Sequence, residues 1–269
     1  MKRWIFGIFF LAAGSRGWGA ISRVAVESVL NNPDAYDGKA ICVQGPVEDV
    51  REKTSGRGNP YVLFQVREGR TALKVFSFGR GMIPRQGPVL ACGVFFKEKE
   101  VNGLTFRNEM TAAYVGSPSP GKPRVGAAVR PSFSGEVTSV ADGDTLDVML
   151  NAWSRPIRFQ GIDCPEKAQP FGPEATDFTV KRALGRRVTI IMMDVDKYGR
   201  IVGWVILPDG KILNRELVRE GWAWWYRHYA PDNTDLKNLE AAARRNKKGL
   251  WSDGPQMAPW DFRHHVENK

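Results

Sequence analysis

The chain has 269 residues, of which 42% are hydrophobic and 25% are charged, and this composition excludes a wholly disordered protein. The length predicts about two domains. Three cysteines are too few for a miniprotein built on disulfides. No apolar run reaches the roughly 20 residues of a membrane span, so we expect no transmembrane segment in the mature protein. The net charge of +10 favours a polyanionic partner, either a nucleic acid or an anionic membrane surface.

Residues 1–20 have the pattern of an export signal. Lys2 and Arg3 give a basic start, and residues 4–13 form an apolar run of the size of a signal-peptide core. An uncleaved anchor or a buried N-terminal helix would show the same pattern. The favoured interpretation is an exported protein, periplasmic or secreted.

Residues 21–115 contain short β-type stretches with little helix between them. In one of them Val62, Phe64 and Val66 alternate with more polar residues, as in a strand with one buried face. Asn102-Gly103 is typical of a two-residue hairpin, because both residue types tolerate positive φ. The stretches predict a small barrel or sandwich, and they span residues 40–47, 61–66, 73–78, 89–95 and 105–114.

Cys42 and Cys92 lie in two different predicted strands of this section. Export would permit a disulfide between them and would leave Cys164 unpaired. Two reduced, buried cysteines are equally compatible with the sequence.

Residues 116–130 contain three prolines and three glycines without an apolar period, which predicts a linker. Residues 21–130 carry 16 basic and 10 acidic side chains, whereas residues 131–254 carry 18 and 17. The charge excess of the mature chain therefore lies in the first domain and the linker. This distribution favours a basic binding module beside a second unit.

The second unit, residues 131–254, begins with strand-type segments and ends with helical ones, which is typical of an α+β domain. Pro173 is well placed for the first turn of a helix, and Asn214 is placed to cap another. The predicted helices span residues 174–184, 215–220 and 235–248. Residues 255–269 are predicted to be a short, loosely ordered tail.

Acidic residues and arginines of the second unit cluster near the predicted strand ends. They occur as D-G-D-T at residues 142–145, R-F-Q-G-I-D-C-P-E at 158–166 and D-K-Y-G-R at 196–200. A hard cation such as Ca²⁺ takes several oxygen ligands, and the planar fork of arginine suits a phosphate group. Each motif alone has an ordinary explanation as a turn or a surface charge.

Together, these motifs resemble the staphylococcal nuclease (thermonuclease) family. The resemblance covers about 120 residues in order, and it continues with G-P-E-A at 172–175, D-G-K at 209–211, N-x-x-L-V-x-x-G at 214–221 and L-W-S at 250–252. It implies a Ca²⁺-dependent enzyme that cleaves DNA and RNA, with single strands as the expected preference and no small-molecule cofactor.

The resemblance also implies roles for single residues. Asp144 and Asp163 would be carboxylate ligands of Ca²⁺, with Asp142 as a nearby acid and Cys164 as the donor of a backbone carbonyl. The residues expected to act on the phosphodiester are Glu166, which orients or deprotonates water, and the phosphate-binding pair Arg158 and Arg200. The residues expected to contact the nucleotide are Lys197, Tyr198, Tyr226 and Tyr229.

The first domain has a weaker resemblance to a nucleic-acid-binding OB fold. The matching segments are D-G-K-A-I-C-V-Q-G at 37–45, G-N-P-Y-V-L-F at 58–64 and C-G-V-F at 92–95. OB barrels bind strands through basic grooves with aromatic faces, which here would use residues among Tyr61, Phe76, Phe78, Phe95 and Phe106 with Lys74, Arg80, Lys97 and Lys99.

The predicted fold is therefore mainly β with an α+β C-terminal domain, made of two OB-like barrels, the second with about three helices. The predicted function is that of an exported calcium-dependent nuclease whose first domain assists substrate binding. The alternative is a catalytically inactive adaptor on the same fold that binds nucleic acid or protein. The oligomeric state does not follow from the sequence.

Overall fold

The computed structural model describes residues 21–56, 58–79, 83–101, 103–118, 126, 128–150 and 152–267. Within these ranges the chain forms two closed five-stranded β-barrels with helices packed around them. The predicted fold class, mainly β with an α+β C-terminal domain, is confirmed. The predicted export signal lies outside the described residues.

The first unit consists of a short strand, two short helices and then a five-stranded barrel. Its elements are β1 (Ile21–Ser22), α1 (Val26–Asn31), α2 (Pro33–Tyr36), β2 (Ala40–Thr54), β3 (Pro60–Glu68), β4 (Thr71–Phe78), β5 (Pro88–Val101) and β6 (Leu104–Gly116). The barrel closes in the order β2-β3-β4-β6-β5. Only β4 and β6 pair in parallel within it. A closed five-stranded barrel is what the OB-like resemblance predicts.

Alternation along the strands places the apolar side chains of the first barrel in its interior. Val62, Phe64 and Val66 of β3 are all buried there, as the period of two predicts. Phe95 of β5 is buried in the same core. It is therefore not available to stack on a ligand, although the sequence left that role open.

The second barrel begins after residue 127 and carries the longer helices. Its elements are β7 (Ala128–Val129), β8 (Ser132–Asp142), β9 (Thr145–Leu150), β10 (Trp153–Phe159), β11 (Ile162–Asp163), α3 (Gly172–Ala183), β12 (Arg187–Val195), β13 (Ile201–Ile206), α4 (Leu213–Arg219), β14 (Trp224–Trp225), α5 (Thr234–Arg245) and α6 (Pro259–Glu267), with a 3₁₀ turn at Gly249–Trp251. The barrel closes in the order β10-β13-β12-β8-β9, and β11 pairs with β14 beside it. Helices α3, α4 and α5 are the three predicted for this unit.

Asn214 has a different role from the predicted helix cap. Helix α4 begins at Leu213, one residue earlier, and Asn214 is fully buried inside it. Its side chain accepts a hydrogen bond from the backbone N–H of Val205 (3.0 Å) and donates to the carbonyls of Gln160 and Gly203 (3.1 Å each). A buried amide needs such partners, so Asn214 fixes α4 to β13 and to the chain after β10.

The two barrels pack against each other through polar and aromatic contacts. Arg155 of β10 is buried and donates hydrogen bonds to Oγ of Ser77 (3.1 Å) and to the carbonyl of Phe78 (2.7 Å). Burial lowers the pKa of Arg155 to about 10. The rings of Phe78 and Trp153 stack at 5.7 Å. A single hydrophobic cluster contains residues of both barrels.

Part of the segment predicted to be a linker is a strand. In β7, Val129 pairs with Ile21 of β1, and both side chains are buried. Residues 119–125 and residue 127 lie outside the described residues. Residues 128–129 of this segment are therefore held against the start of the first unit, because Val129 and Ile21 bury apolar surface against each other.

Cys42 and Cys92 form a disulfide between β2 and β5. The two residues are direct register partners across these strands, with Cα atoms 4.1 Å apart, and both are fully buried. Cys164 is a buried free thiol. No helix among the described residues is long and apolar enough to cross a membrane.

Candidate active site

The acidic turn between β8 and β9 is fixed by hydrogen bonds and by close packing. Oδ1 of Asp142 accepts a hydrogen bond from the backbone N–H of Asp144 (3.1 Å), and the hydroxyl of Thr179 donates to the carbonyl of Gly143 (2.6 Å). A Cβ at position 143 would lie 2.8 Å from both Cβ and Sγ of Cys164. Glycine is therefore required at position 143, where the turn approaches the end of β11.

Asp144 and Asp163 are two buried carboxylates, only 3% and 1% exposed. Oδ2 of Asp144 accepts a hydrogen bond from the backbone N–H of Cys164 (2.6 Å). The guanidinium of Arg158, near the end of β10, forms ion pairs with Asp144 and with Oδ1 of Asp163, the latter at 2.5 Å. Because one guanidinium contacts both acids, the two carboxylates converge on one place, where buried charge is compensated.

Glu166 completes this group together with a residue from the C-terminal helix. Nη1 of Arg263 on α6 donates to Oε1 of Glu166 at 2.6 Å, and Nη2 donates to Oδ2 of Asp163 at 2.7 Å. A longer contact joins Nη1 to Oδ1 of Asp163 at 3.3 Å. We call these residues the acid–arginine cluster; its members are Asp144, Asp163, Glu166, Arg158 and Arg263.

Arg200 is held by its own turn between β12 and β13. Nε of Arg200 donates to Oδ2 of Asp196 (2.6 Å), and Oδ1 of Asp196 accepts the backbone N–H groups of Tyr198 and Arg200 (2.9 Å each). The parallel pairing of β10 with β13 sets Arg158 opposite Val202. Arg200 comes directly before β13, two positions ahead of Val202.

An aromatic group lies beside the acid–arginine cluster. The ring of Tyr226 stacks on Trp260 of α6 at 5.0 Å and meets Tyr229 edge-on at 4.7 Å. Tyr226, Tyr229 and Trp260 line, with three neighbours, a hollow of about 520 Å³. Burial and then the charge of Asp163 raise the pKa of the Tyr226 hydroxyl, so this phenol is neutral at physiological pH.

Burial and charge also set the protonation states of Cys164 and Arg263. Burial raises the pKa of the Cys164 thiol well above its ordinary value, despite the opposing charge of Arg158. Such a neutral, enclosed thiol is chemically inert. Partial burial works to lower the pKa of the Arg263 guanidinium, but the hydrogen bonds to Asp163 and Glu166, together with the negative charges of these two residues, outweigh it and raise that pKa.

Comparison with known proteins identifies the family of this chain. The profile of the staphylococcal nuclease homologue family matches residues 156–253. An Escherichia coli protein named an uncharacterized endonuclease is 44% identical over 132 residues, which make up 48% of this chain and 84% of the relative. The chain belongs to the staphylococcal nuclease family. The micrococcal nuclease of Shigella flexneri is 37% identical over 145 residues, 51% of this chain and 83% of that one.

The family match falls within the second barrel and its helices. It includes three residues of the cluster, Arg158, Asp163 and Glu166, together with Arg200. Protein ParB of Escherichia coli, a further relative, is 35% identical over 144 residues, 50% of this chain and 81% of its own length. The resemblance to the staphylococcal nuclease family found in the sequence is thus confirmed.

The donor chemistry at the centre of the cluster fits a hard cation. Asp144 and Asp163 supply converging, buried carboxylate oxygens, which are the ligands that Ca²⁺ takes. Among the described residues, no group of three or more His, Cys, Asp or Glu side chains is arranged to hold a metal. The predicted set was Asp144, Asp163 and the backbone carbonyl of Cys164, with Asp142 as a nearby acid, and the structure does not gather its three carboxylates into one such group.

The structure brings some of the predicted site residues together and keeps others apart. Asp144, Asp163 and Arg158 are in direct contact, and Glu166 is joined to Asp163 through Arg263. Asp142 instead supports the turn through its bond to the backbone. Lys197 and Tyr198 lie on the exposed turn that contains Arg200: Lys197 Nζ lies 5.1 Å from the ring centre of Tyr198, which is 65% exposed. Tyr226 and Tyr229 line the separate hollow against Trp260.

Arg263 and Trp260 are the site residues that the sequence analysis missed. Both lie in the segment predicted to be a loose tail, which instead forms α6. Their residue types match no family motif, and the family match ends ten residues before Arg263. The available signal was Pro259, which is well placed to begin a helix.

Proposed function

We propose that this protein is an exported, calcium-dependent nuclease that hydrolyses phosphodiester bonds of DNA and RNA. The observation that carries the proposal is the convergence of the buried Asp144 and Asp163 carboxylates on Arg158, with Glu166 linked to Asp163 through Arg263. Membership of the staphylococcal nuclease family supports nuclease activity, because relatives of this chain bear the names endonuclease and micrococcal nuclease.

Asp144, Asp163 and the carbonyl of Cys164 would hold the Ca²⁺ ion. When bound, this ion supplies Lewis-acid stabilisation of the phosphoryl oxygens. Asp142 is assigned a supporting role, because its carboxylate already accepts the backbone N–H that fixes the turn.

Glu166 is the residue we assign to the attacking water. It is the least buried carboxylate of the cluster, with 37% of its side chain exposed, so water reaches it. A carboxylate in this place can accept the proton of a water molecule as that molecule attacks phosphorus.

Arg158 and Arg200 are assigned to the phosphate group. Their side chains are 15% and 32% exposed, so each is anchored by acids and still reaches the solvent side. Preorganised guanidinium groups stabilise the charge that develops on the phosphoryl oxygens during hydrolysis.

The nucleotide itself would contact aromatic side chains at two separate surfaces. Lys197 and Tyr198 form an exposed basic and aromatic corner on the turn of Arg200. Tyr226 and Tyr229 line the hollow on the α6 side. Stacking on aromatic rings is tolerant of sequence and requires unstacked bases, so we propose a preference for single strands.

The first barrel would assist binding of long substrates. Lys74, Phe76 and Phe78 alternate along the outer face of β4, and Tyr61 of β3 is the register partner of Phe78. Ring contacts run from Tyr61 to Phe76 (5.3 Å) and from Phe76 to Phe78 (4.8 Å). A basic residue beside a row of rings is the pattern that holds single strands.

Export is supported by the Cys42–Cys92 disulfide. Disulfides form and persist in oxidising compartments such as the periplasm or the exterior. N-terminal sequencing of protein recovered from the periplasm or medium tests this part. Loss of a segment ending within residues 12–20 is expected, whereas an intact Met1 on cytoplasmic protein would contradict export.

The decisive test of the proposed function is a digestion series with the full-length protein. Labelled single-stranded DNA, double-stranded DNA and RNA are incubated with Ca²⁺, with Mg²⁺ or with chelator. We expect cleavage of all three in Ca²⁺, fastest for single strands, and poor cleavage in Mg²⁺, because that ion demands a tight octahedron.

Two variants connect the activity with the site. Glu166→Gln should lose most of the cleavage, whereas Asp177→Asn, which removes an exposed acid on α3, should match the parent protein. Binding of all three polymers without cleavage under any metal condition would instead support the inactive adaptor.

A further inference from the structure

The start of helix α6 is attached to the nuclease barrel by a hydrogen bond, by apolar burial and by ring stacking. Before the helix, the carbonyl of Met257 accepts a hydrogen bond from Nε2 of Gln169 (3.2 Å), and Ala258 is buried in a small apolar cluster. On the helix, Trp260 stacks on Tyr226. These contacts place the next turn of the helix over the acid–arginine cluster.

The contact between α6 and the cluster is ionic and is not tightly packed. Arg263 reaches Asp163 and Glu166, while a hollow of about 370 Å³ lies between residues 166–168 and the residues Phe262, Arg263 and Val266. Val266, in the last turn, is 59% exposed. The docking of this turn therefore depends mainly on the guanidinium of Arg263.

The guanidinium of Arg263 occupies the groups that the proposed chemistry requires. Both oxygens of Asp163 accept from it, at 3.3 and 2.7 Å, and Oε1 of Glu166 accepts at 2.6 Å. A divalent cation needs the oxygens of Asp163, and a water molecule needs a free Glu166. One positive group cannot share these lone pairs with a second cation without strong repulsion.

We propose that Arg263 is a tethered cation that competes with Ca²⁺ for Asp163, so that α6 is an autoinhibitory cap which metal binding releases. This inference rests on the proposed calcium site. It adds a regulatory segment that lies outside the residues matching the staphylococcal nuclease family. The docked cap adds to the compensation of the buried acids by Arg158. Its release frees Glu166 and Oδ2 of Asp163, while Oδ1 of Asp163 stays in contact with Arg158 at 2.5 Å.

Thermodynamic linkage makes the proposal quantitative. If docking of α6 and binding of Ca²⁺ exclude each other, each weakens the other by the same factor. Removing the Arg263 side chain should therefore tighten Ca²⁺ binding, and adding Ca²⁺ should loosen α6 in the parent protein.

The test is calorimetric titration of Ca²⁺ into metal-free, full-length protein without any substrate. Arg263→Ala should lower the Kd for Ca²⁺ by roughly 5- to 150-fold, the usual range of coupling between two sites. Arg263→Lys should fall between this variant and the parent, since it keeps the charge and loses the fork. Arg186→Ala, which removes an exposed arginine in the connection between α3 and β12, controls for the change in net charge.

Hydrogen exchange supplies a second readout. In the parent protein, Ca²⁺ should accelerate exchange of the α6 amides and leave α5 unchanged. Equal Ca²⁺ affinity of the parent and Arg263→Ala, or α6 amides that become more protected with Ca²⁺, would overturn the cap. If neither protein binds Ca²⁺, the calcium part of the proposed function fails as well, which distinguishes the two failures.

Discussion

At the scale of single residues, Arg158 and Arg200 carry the same proposed role in different surroundings. Arg158 is enclosed between two buried acids, whereas Arg200 is fixed by Asp196 in a solvent-facing turn. The resemblance to the staphylococcal nuclease family singled out both arginines. It could not predict that Arg158 also compensates the charge of Asp144, because that contact depends on how β10 and the acidic turn meet in space.

We expect Arg158→Ala and Arg200→Ala each to lower kcat by roughly 10²- to 10³-fold, the usual effect of losing one preorganised charge-stabilising group. Lysine at either position should restore little, because a point charge does not reproduce the two-pronged guanidinium. Initial rates in Ca²⁺, with circular dichroism to confirm folding, measure this. Rates within threefold of the parent would show that the arginine is not part of the reaction.

Asp194 gives a prediction about pH and stability. Burial, with a smaller contribution from the charge of Asp196, raises the pKa of Asp194 from 3.8 to about 6, although the N–H of Val195 donates to it at 2.8 Å. The native state therefore binds a proton more tightly than the unfolded state, so this group's contribution to stability is lost as the pH rises from about 4 to about 6.

Asp194→Asn keeps an oxygen for the Val195 N–H and carries no charge. At pH 7 it should raise the free energy of unfolding by up to about 3 kcal/mol, which is the size of a pKa shift of about two units. At pH 3 it should match the parent. Urea unfolding at both pH values measures this, with Asp177→Asn as the control. A variant that is less stable at pH 7 would contradict the account.

At the scale of elements, the sequence predicted where helices begin better than it predicted which side chains attach them to the barrel. The proline at position 173 lies in the first turn of α3, as predicted. Helix α5 begins at Thr234, with Asn233 accepting the N–H of Leu236 as its cap (3.0 Å). Asn214 has the same residue type as Asn233, but it is used as a buried tie. Local sequence cannot tell these uses apart, since burial comes from the packing of α4 on β13.

The difference between the two asparagines is measurable. Asn214→Ala should lower the free energy of unfolding by about 2–4 kcal/mol, because it leaves buried backbone groups without partners. Asn233→Ala should cost about 1 kcal/mol, the usual value for an N-cap. Chemical unfolding of both variants decides the matter, and equal losses would mean that Asn214 acts merely as a cap.

At the scale of the whole molecule, the two-barrel organisation was predictable and the contact between the barrels was not. Turn signals and alternation predicted the strands of each barrel. At the interface Arg155 and Trp153 of the second barrel both contact Phe78 of the first. These partners are more than 70 positions apart in the sequence. Sequence periodicity carries no information on such distant partners, and the same holds for Arg263, which reaches Asp163 across 100 positions.

The disulfide provides a prediction at this scale. It closes a loop with a sequence separation of 50 residues, and a crosslink of that span stabilises a fold by about 2–4 kcal/mol, mainly by restricting the unfolded chain. The double variant Cys42→Ala/Cys92→Ala should show this loss in urea unfolding, with unchanged Ca²⁺ affinity. An altered Ca²⁺ affinity would mean that the first barrel influences the acid–arginine cluster.

The central claim is that the acid–arginine cluster is a calcium-dependent centre for phosphodiester hydrolysis. It is tested most directly by the cleavage rate of one end-labelled single-stranded DNA, measured with full-length protein across free Ca²⁺ concentrations set by a chelating buffer. The account predicts no cleavage at the lowest Ca²⁺, a saturating rise with Ca²⁺ for the parent, and a nearly flat response for Glu166→Gln. Full cleavage in excess chelator, or an equal rise for Glu166→Gln, would contradict it.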